Sequence, residues 1–204
     1  MKSSKIASER ALALAKINKG FLRAKEARLA GIHSRTLAGL KDQNKIELLA
    51  RGIYKLKASI PLSNPDLVTV SLVSPRAVIC LISALSFHRI TTQIPHRVYL
   101  AVPQNFRSPK SSYPSIEVHW FGEEAYSKGI EEHLIDGVRV KVYDREKSIV
   151  DCFKFRNKIG MDIFLEAVKM YRSARGKKVN EILRYAKICR VEKQITPYLE
   201  ALFF

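Results

Sequence analysis

The segment 20–57 constrains the fold more than any other part of the chain. It contains two short helical patterns, at 22–30 and 35–44, which are joined by the turn sequence AGIHS. The glycine of that turn, Gly31, and the alanines before it allow two helix backbones to approach closely. Ser34 is a suitable N-cap for the second helix, because its hydroxyl can accept a hydrogen bond from a free backbone N–H. The arrangement is typical of a helix-turn-helix.

Two further elements flank this pair of helices. Apolar residues at 46–49 and 53–56 alternate on either side of the tight turn at 50–52, which predicts a β-hairpin. Before them, apolar residues at three- and four-residue steps over 4–17 predict a first helix, with Gly20 as its C-terminal cap. Taken in this order, the elements predict a winged helix-turn-helix with the hairpin as its wing.

Charge is concentrated in the same part of the chain. The protein has a net charge of +17, of which residues 1–60 contribute +10, with fourteen Lys/Arg and four Asp/Glu. Residues 61–204 contribute the other +7 over more than twice that length. A strongly basic surface indicates an acidic partner, for which nucleic acid comes first and an anionic membrane second. The uneven distribution favours a front surface that faces the phosphates of DNA.

The second helix of a helix-turn-helix enters the major groove and presents its N-terminal side chains to base edges. Arg35 can make a bidentate contact with guanine, and Gln43 or Asn44 can do so with adenine if they face the groove. Cations on the preceding helix and on the wing suit phosphate contacts, which position the protein without reading sequence. The predicted DNA-binding residues are Lys25, Arg28, Ser34, Arg35, Thr36, Lys41, Gln43, Asn44, Arg51 and Lys55. The alternative is a small protein-interaction domain with a solvated basic face.

A change in composition marks the end of this unit. Residues 58–66 contain two prolines, two serines and an asparagine, and they interrupt the periodic patterns. We therefore expect a winged helix-turn-helix DNA-binding domain at 1–60 and a second domain at 61–204.

The sequence of residues 61–204 predicts strands mixed with helices, followed by a run of helices. The whole chain is therefore expected to be α+β, a winged helix-turn-helix followed by a mixed α/β domain with a helical C-terminal part. The segment 67–72 fits a helix or a strand, a helix is expected from 76 or 77 to 89, and a polar loop over 103–115. The predicted strands are 98–102, 116–121, 130–134 and 138–143, and the predicted helices of the tail are 145–156, 161–174, 179–190 and 192–203. The last of these helices is expected to be interrupted at Pro197.

Residues that often carry catalysis or bind metals are present, but not in functional patterns. Cys80, Cys152 and Cys189 form no zinc spacing and no disulfide set, so buried thiols in a reducing compartment are expected. The five histidines form no metal-binding pair, and the chain has no phosphate-binding glycine loop and no nucleophile elbow. We therefore expect no cofactor and no metal. Because no apolar run reaches the roughly 18 residues that span a membrane and no signal core is present, a soluble cytoplasmic protein is expected.

A cluster of charged residues follows the last predicted strand. Asp144 is a suitable N-cap for the next helix, and Glu146 lies where it favours the helix dipole. Lys147 and Asp151 are four residues apart and can pair on one helix face. Asp136, Glu146 and Lys147 suggest a metal-dependent nuclease site, but Glu146 and Lys147 are adjacent, which is the wrong spacing for such a site. Helix capping and packing are sufficient to explain the cluster.

An ordered series of short patterns runs along most of the chain. They are G-x-L-R-A-K-E-A-x-x-A-G-I at 20–32, R-G-I-Y at 51–54, S-A-L-S-F-H at 83–88, P-x-x-V-Y-L-A-V-P at 95–103, Y-D-R-E-K-S-I-V-D at 143–151 and R-V-E-K-x-x-x-P-Y-L-E-A-L at 190–202. This series resembles the AbiE-type antitoxins, which are transcriptional regulators of type IV toxin–antitoxin (abortive infection) systems in bacteria. No single pattern is diagnostic, and the resemblance rests on their order.

The resemblance implies a front domain that binds inverted repeats of double-stranded DNA in its own promoter and represses the operon. Inverted repeats match two-fold symmetry, so a dimer on DNA is expected. The resemblance also implies that the domain at 61–204 counteracts a nucleotidyltransferase-like toxin without forming a stable complex, and that the chain is not an enzyme.

Two other functions stay open at this point. A nucleic-acid-processing enzyme would use 61–204 as its catalytic domain and the winged helix for targeting, which the acidic residues within 116–151 motivate. An adaptor would instead bind an acidic protein partner through its basic front.

Overall fold

In the computed structural model of the chain, residues 2–109 and 113–203 are described. The first six elements are α1 (Lys2–Ile17), β1 (Phe21–Arg23), α2 (Ala24–Leu29), α3 (Ser34–Asp42), β2 (Ile46–Ala50) and β3 (Ile53–Leu56). The three strands form an antiparallel sheet in the order β1-β3-β2. This order of elements and strands agrees with the predicted winged helix-turn-helix.

The three front helices cover one face of this sheet. Ala15 of α1, Leu37 and Leu40 of α3, and Leu22 of β1 are buried in one apolar cluster. Successive residues of a strand point to opposite faces, so Phe21 is buried on the other side of the sheet, in a separate cluster. Both faces of the front sheet are therefore covered.

Two predicted boundaries differ in this region. Strand β1 replaces the predicted start of a helix, because Phe21 and Leu22 pack on opposite faces of the sheet and pair with β3. Helix α1 ends with Lys19 in the left-handed region, at φ +56°, and the N–H of Gly20 donates to the carbonyl of Ala15 at 2.8 Å. Gly20, at φ +93°, is therefore the second residue of the cap and not the first left-handed one.

The remaining elements of the described chain are α4 (Pro65–Val73), β4 (Val78–Ile79), α5 (Leu81–Phe87), β5 (Val98–Pro103), β6 (Ile116–Phe121), α6 (Glu123–Ser127), β7 (Ile130–Ile135), β8 (Val138–Tyr143), α7 (Arg145–Lys154), α8 (Arg156–Ile159), α9 (Met161–Ser173), α10 (Val179–Ile188) and α11 (Glu192–Phe203). Five strands form a second, mixed sheet in the order β6-β5-β4-β8-β7. The predicted α+β class is confirmed. Residues 110–112 of the predicted polar loop lie outside the described residues.

The predicted helix from 76 or 77 to 89 is wrong, because the segment divides into strand β4 and helix α5. Val78 and Ile79 are buried on opposite faces of the second sheet, and Leu81 then takes a φ of +48°. A short apolar run fits both a buried strand and a buried helix, and periodicity alone does not separate them. Helix α6 and the break between α7 and α8 also differ from the predicted pattern.

The predicted interruption at Pro197 is wrong, since α11 runs through this residue. A proline inside a helix loses one backbone hydrogen bond. Ile195 and Leu199 are buried on either side of it, and the Thr196 hydroxyl donates to the carbonyl of Glu192 at 2.8 Å. Packing of these apolar residues keeps the helix continuous.

Helix α4 lies between the two sheets. Leu67 and Val70 pack on the second sheet, whereas Val68 and Leu72 pack on the front sheet. A helix that is buried on both sides has no polar face, which explains why the segment 67–72 shows no helical period.

The β7–β8 hairpin adds to the contact between the two sheets. Ile135 and Val138 pack against the cluster that contains Phe21, and the backbone N–H and hydroxyl of Ser63 donate to Asp136 Oδ2 at 2.8 and 3.1 Å. The layers are, in order, the helices α1–α3, the front sheet, α4, the second sheet, and the helices α5 and α7–α11 on its far face. None of the helices in the described ranges is long and apolar enough to cross a membrane.

Candidate nucleic-acid interface

Backbone geometry holds the turn between α2 and α3. Gly31 has a φ of +73°, and its N–H donates to the carbonyl of Arg28 at 3.0 Å. The N–H of Ile32 donates to the carbonyl of Ala27 at 2.9 Å, and both of these residues are buried under α1. This pair of bonds is the helix ending in which glycine is preferred. The turn therefore fixes the angle at which α3 leaves α2.

Helix α3 starts one residue earlier than the sequence predicts. His33 has an extended backbone (φ −74°, ψ 153°) and occupies the N-cap position, so the prediction of Ser34 as N-cap is wrong. The His33 carbonyl accepts from the N–H of Thr36 at 3.0 Å, and its side chain makes no capping bond. Because the Ser34 hydroxyl is not used for capping and is exposed, it stays available to a ligand.

The outer face of α3 carries no side chain at Gly39, near its middle, and a positive charge at Arg35, near its start. Leu37 and Leu40 point into the core, so at 3.6 residues per turn Arg35, Gly39 and Asp42 lie on the opposite side. Arg35 is exposed, and apart from the backbone of α3 itself and the two chain neighbours of Gly39, no atom lies within 4 Å of the place where a Cβ on Gly39 would stand. This face can therefore approach another molecule closely, with Arg35 in front.

Four of the polar residues near the start of α3 share one surface depression. Lys25, Arg28, His33 and Ser34 line a space of about 470 Å³ between α2 and the first turn of α3. The free N–H groups and the dipole at this helix end favour an anion. Thr36, two residues further along the first turn of α3, is half-buried and does not line this depression. The depression suits a backbone phosphate of a bound duplex.

The predicted residues at the far end of α3 have a different setting. Gln43 is the C-cap, and Asn44 follows it in the left-handed region at φ +56°. The N–H of Asn44 donates to the carbonyl of Lys41 at 2.8 Å, and the N–H of Lys45 donates to the carbonyl of Leu40 at 2.9 Å. All three predicted residues, Lys41 included, are exposed. Asparagine tolerates this backbone conformation better than most residues, so Asn44 has a structural reason to be there.

The wing is short and lies against α2. Its turn carries the exposed Arg51, and the carbonyl of Gly52 accepts from the N–H of Ala24 at 2.8 Å. Arg51 is therefore held beside the start of α2.

Lys55 does not fit the role that the sequence predicts. It lies on β3, the central strand of the front sheet, and only 5% of it is exposed. Its Nζ lies 3.7 Å from Glu47 Oε1 and donates to the carbonyl of Ser59 at 3.4 Å. The prediction of a phosphate contact is corrected accordingly, because a side chain enclosed in its own sheet does not reach a duplex.

Two acidic residues of the front unit, residues 2–57, form ion pairs, and of their partners only Lys55 belongs to the predicted set. Glu26 lies 3.9 Å from Arg23, and Glu47 pairs with Lys57 at 3.2 Å as well as with Lys55. Within the described residues, none of the ion pairs involves the five exposed cations of the predicted set, which are Lys25, Arg28, Arg35, Lys41 and Arg51. These five charges are therefore open to an external anion.

Sequence reasoning left out several exposed cations of the same unit. They are Lys5, Lys16, Lys19, Lys45 and Lys57. In the sequence, the high number of basic residues in 1–60 is the signal that indicates them. Their positions relative to α3 depend on the fold, so they could not be predicted one by one. Arg10 is also exposed, and its guanidinium donates to the carbonyl of Ala30 at 3.0 Å.

The charged cluster after β8 is structural. The Asp144 carboxylate accepts from the N–H of Lys147 at 2.7 Å, which confirms the predicted N-cap. Lys147 and Asp151 pair as predicted, but both are fully buried, with Lys147 Nζ 2.6 Å from each carboxylate oxygen. The ammonium also lies 4.8 Å from the Phe121 ring centre and 4.3 Å from that of Tyr143.

Burial raises the pKa of the Asp151 carboxyl, and the Lys147 ammonium opposes that rise. Glu146 is also buried and accepts from the Tyr171 hydroxyl at 2.5 Å. Glu146 and Lys147 are therefore committed to partners inside the protein, which removes two of the three residues of the nuclease hypothesis.

The prediction that the three thiols are buried is confirmed. Burial raises the pKa of Cys80 and Cys152 well above the ordinary value and that of Cys189 to about 11. They therefore stay protonated at neutral pH, which makes them poor nucleophiles and poor metal ligands.

The front unit matches a known family of proteins. Residues 9–57 fit the family model described as "Transcriptional regulator, AbiEi antitoxin". This segment runs from α1 to the end of the wing and contains all ten predicted DNA-binding residues. A comparison of the chain with curated proteins finds no significant match. The front part of the chain, from 9 to 57, is therefore similar to the AbiEi antitoxins, a family of transcriptional regulators.

Proposed function

We propose that the protein is a DNA-binding autorepressor and antitoxin of a bacterial type IV toxin–antitoxin system, acting in the cytoplasm. In this proposal, residues 1–60 bind inverted repeats in the promoter of its own operon as a dimer on the DNA. Residues 61–204 counteract a nucleotidyltransferase-like toxin without forming a stable complex with it.

One observation carries the DNA-binding half of the proposal. The exposed cations of α2, α3 and the wing have no acidic partner among the described residues, and they surround the outer face of the helix that a winged helix-turn-helix places in the major groove. Arg35 occupies the start of that helix, where side chains meet base edges. Lys25, Arg28 and Ser34 line a depression beside it, which supports phosphate contacts by these residues.

The burial of the rear carboxylates favours a non-enzymatic role. Glu146 and Asp151 each have a hydrogen-bonded partner inside the core, and neither is exposed to a substrate. A metal-dependent nuclease needs carboxylates that are free to bind a cation and to reach a phosphate. The rear unit is therefore proposed to act by binding.

The repressor half is tested by a mobility-shift assay with the DNA upstream of the gene and a scrambled duplex of equal length. At about 0.15 M salt the full chain is expected to prefer the upstream DNA by at least about a thousandfold. Equal affinity for the two duplexes would remove the proposed autorepression.

The antitoxin half needs a separate experiment in cells. Expression of a nucleotidyltransferase-like toxin encoded beside this gene is expected to stop growth, and co-expression of the full chain is expected to restore it. An Arg35→Ala variant expressed from a foreign promoter is expected to rescue growth equally well, because the proposed rear activity does not use α3. Failure of the wild-type chain to rescue growth would contradict the antitoxin role.

A further inference from the structure

A second concentration of positive charge lies in the helical tail. Residues 169–193 contain nine Lys/Arg and two Asp/Glu, whereas residues 61–153 contain ten of each and are neutral. All nine cations of the tail are exposed. They are Lys169, Arg172, Arg175, Lys177, Lys178, Arg184, Lys187, Arg190 and Lys193, and together they form the basic tail surface. The net charge of +7 in residues 61–204 is therefore concentrated in the tail and is not spread evenly over them.

The loop between α9 and α10 presents part of this surface in a fixed shape. The Arg145 guanidinium donates to the carbonyls of Arg175 and Gly176 at 3.2 and 3.1 Å and lies 5.6 Å from the Tyr171 ring centre. The N–H of Lys178 donates to the Tyr171 hydroxyl at 2.6 Å. The loop backbone is thus anchored inwards, while the side chains of Arg175 and Lys178 stay exposed.

Helix α10 continues the surface along one face. Ile182, Tyr185 and Ala186 are buried in the apolar cluster between the second sheet and the tail helices. Arg184 and Lys187 therefore lie on the opposite, solvent side of α10. A helix with one apolar and one cationic face can lie against a polyanion without losing any of its internal packing.

The acidic residues of the tail leave most of this charge unpaired. Glu181 pairs with Arg184, its neighbour on the same helix. No ion pair within the described part of the chain involves Arg175, Lys178 or Lys187. Arg175 and Lys178 of the anchored loop and Lys187 of α10 are therefore free to bind an external anion.

The basic tail surface lies at the other end of the molecule from α3. Between the two stand the front sheet, α4 and the second sheet. At about 10 Å for each packed layer, the separation is on the order of 40 Å. Strand β8 adds a displacement within the plane of the second sheet, because its first residue, Val138, touches the front unit and the residue two beyond its end, Arg145, anchors the tail loop. A duplex about 20 Å wide that lies straight across α3 does not reach the tail.

We propose that the basic tail surface binds the phosphate backbone of a second nucleic acid, separate from the duplex on α3. RNA and DNA share this backbone, and the test below distinguishes them. An acidic protein fits less well, because protein interfaces need apolar anchors. Leu183, 37% exposed, is the one large exposed apolar side chain in 169–193, a range that the structure describes throughout. The protein can therefore hold two nucleic acids at once. The simultaneous binding of two nucleic acids rests on the proposed DNA binding by α3, whereas binding at the tail does not.

The test compares two full-length triple variants of equal charge change. The first replaces the three unpaired cations, as Arg175→Gln, Lys178→Gln and Lys187→Gln. The control replaces three exposed cations of the neutral region, as Arg89→Gln, Arg107→Gln and Lys128→Gln. Fluorescence anisotropy measures the binding of labelled bulk tRNA and of a labelled random-sequence DNA duplex across a salt series. Melting curves establish that both variants stay folded.

The tail variant is expected to lose about tenfold or more in affinity for at least one probe at about 0.1 M salt. The slope of log affinity against log salt should flatten by roughly 2–3 units for three lost phosphate contacts. The control variant should match the wild-type chain, and the probe that is affected identifies RNA or DNA as the ligand. Equal weakening by both variants would overturn the inference, and so would unchanged binding in both. Binding that depends on the tail for polyglutamate but for neither nucleic acid would overturn it in favour of a protein partner.

A capture experiment separates this inference from the proposed function. The wild-type chain held on immobilised upstream DNA is expected to retain labelled tRNA or random duplex, and the tail variant is expected to hold the upstream DNA but not the labelled probe. If the wild-type chain does not prefer the upstream DNA, autorepression is contradicted. The anisotropy result for the basic tail surface would still hold in that case. Retention of the probe by the tail variant would contradict the second surface.

Discussion

Asn44 is a residue with a structural and a DNA-binding interpretation. Its backbone is left-handed at φ +56°, and it follows the C-cap of α3, at the opposite end of the helix from Arg35. Glycine also adopts this conformation easily, whereas alanine does not.

We expect Asn44→Gly to preserve both stability and affinity for the upstream DNA, and Asn44→Ala to lower stability by about 1 kcal/mol. Urea unfolding and a DNA titration of the two variants check this. A tenfold loss of affinity in Asn44→Gly, with stability retained, would instead assign the amide to a base contact.

Lys147 and Asp151 form a fully buried ion pair. Replacement of one partner leaves the other charge without compensation in the core, so Lys147→Met is expected to cost about 3–5 kcal/mol of stability. The double variant Lys147→Met/Asp151→Leu is expected to recover most of that loss, because no buried charge remains. The free energy of unfolding in urea measures both. A double variant that is no more stable than the single one would show that the pair is not the source of the loss.

At the scale of elements, Glu166 of α9 ties the segment after α5 to the helical tail. Its carboxylate accepts from the hydroxyls of Thr91 and Thr92 at 2.7 and 2.5 Å and from the Thr92 N–H at 3.1 Å. These hydrogen bonds lower the pKa of Glu166 below its ordinary value of 4.5. A lowered pKa means that the folded state favours the ionised form, so the stabilisation is present above pH 4.5 and is lost as pH falls further.

Glu166→Gln is therefore expected to unfold more easily than the wild-type chain at pH 7, with the difference shrinking below about pH 4.5. Urea midpoints across a pH series measure this, with Glu192→Gln, a change at an exposed glutamate, as the control. A difference that stays constant across the series would mean that the charge of Glu166 is not involved.

Helix α4 is shared by the two sheets, so its packing should matter to both. Val68 is fully buried against the front sheet, and its neighbours Leu67 and Val70 pack on the second sheet. Val68→Ala is expected to cost about 2 kcal/mol and to speed amide exchange in both sheets. The matched change Val168→Ala, at a fully buried valine of α9, is expected to act first on the rear elements. Faster exchange in only one sheet after Val68→Ala would contradict a shared layer.

Elements with a single periodicity could be predicted from the sequence. The recognition helix, the hairpin strands β7 and β8, and helices α9 and α10 agree with their patterns to within about two residues. Elements that are buried on two sides could not be separated this way. Val78 and Ile79 form a two-residue strand in an apolar run that also fits a helix, and α4 has no polar face to reveal its period.

Nine of the ten predicted site residues are exposed or half-buried, and the buried position of the tenth, Lys55, has a physical source. Arg35, Lys25 and Arg28 are exposed around α3 as their positions in a helix-turn-helix require. Lys55 is enclosed because β3 becomes the middle strand of its sheet, and strand order is set by contacts with β1 that lie outside the hairpin pattern. Because β1 and β3 are far apart in the sequence, the burial of Lys55 could not be predicted from the hairpin pattern alone.

At the scale of the whole molecule, two exposed basic surfaces lie at opposite ends of a stack of packed layers. The front one surrounds α3, and the other one is the basic tail surface of residues 169–193. The neutral region between them, residues 61–153, supplies the second sheet and α4. The front surface is the one that is proposed to choose a DNA sequence.

The most direct test of that proposal is the affinity of three proteins for two duplexes, the upstream DNA and a scrambled one, over a salt series. Arg35→Ala is expected to lose about 1–3 kcal/mol on the upstream DNA only, because it removes a base contact. Arg28→Ala is expected to weaken both duplexes equally and to flatten the salt slope by about one unit, because it removes a phosphate contact. If the wild-type chain binds both duplexes equally at about 0.15 M salt, or if Arg35→Ala and Arg28→Ala behave alike, α3 does not read sequence.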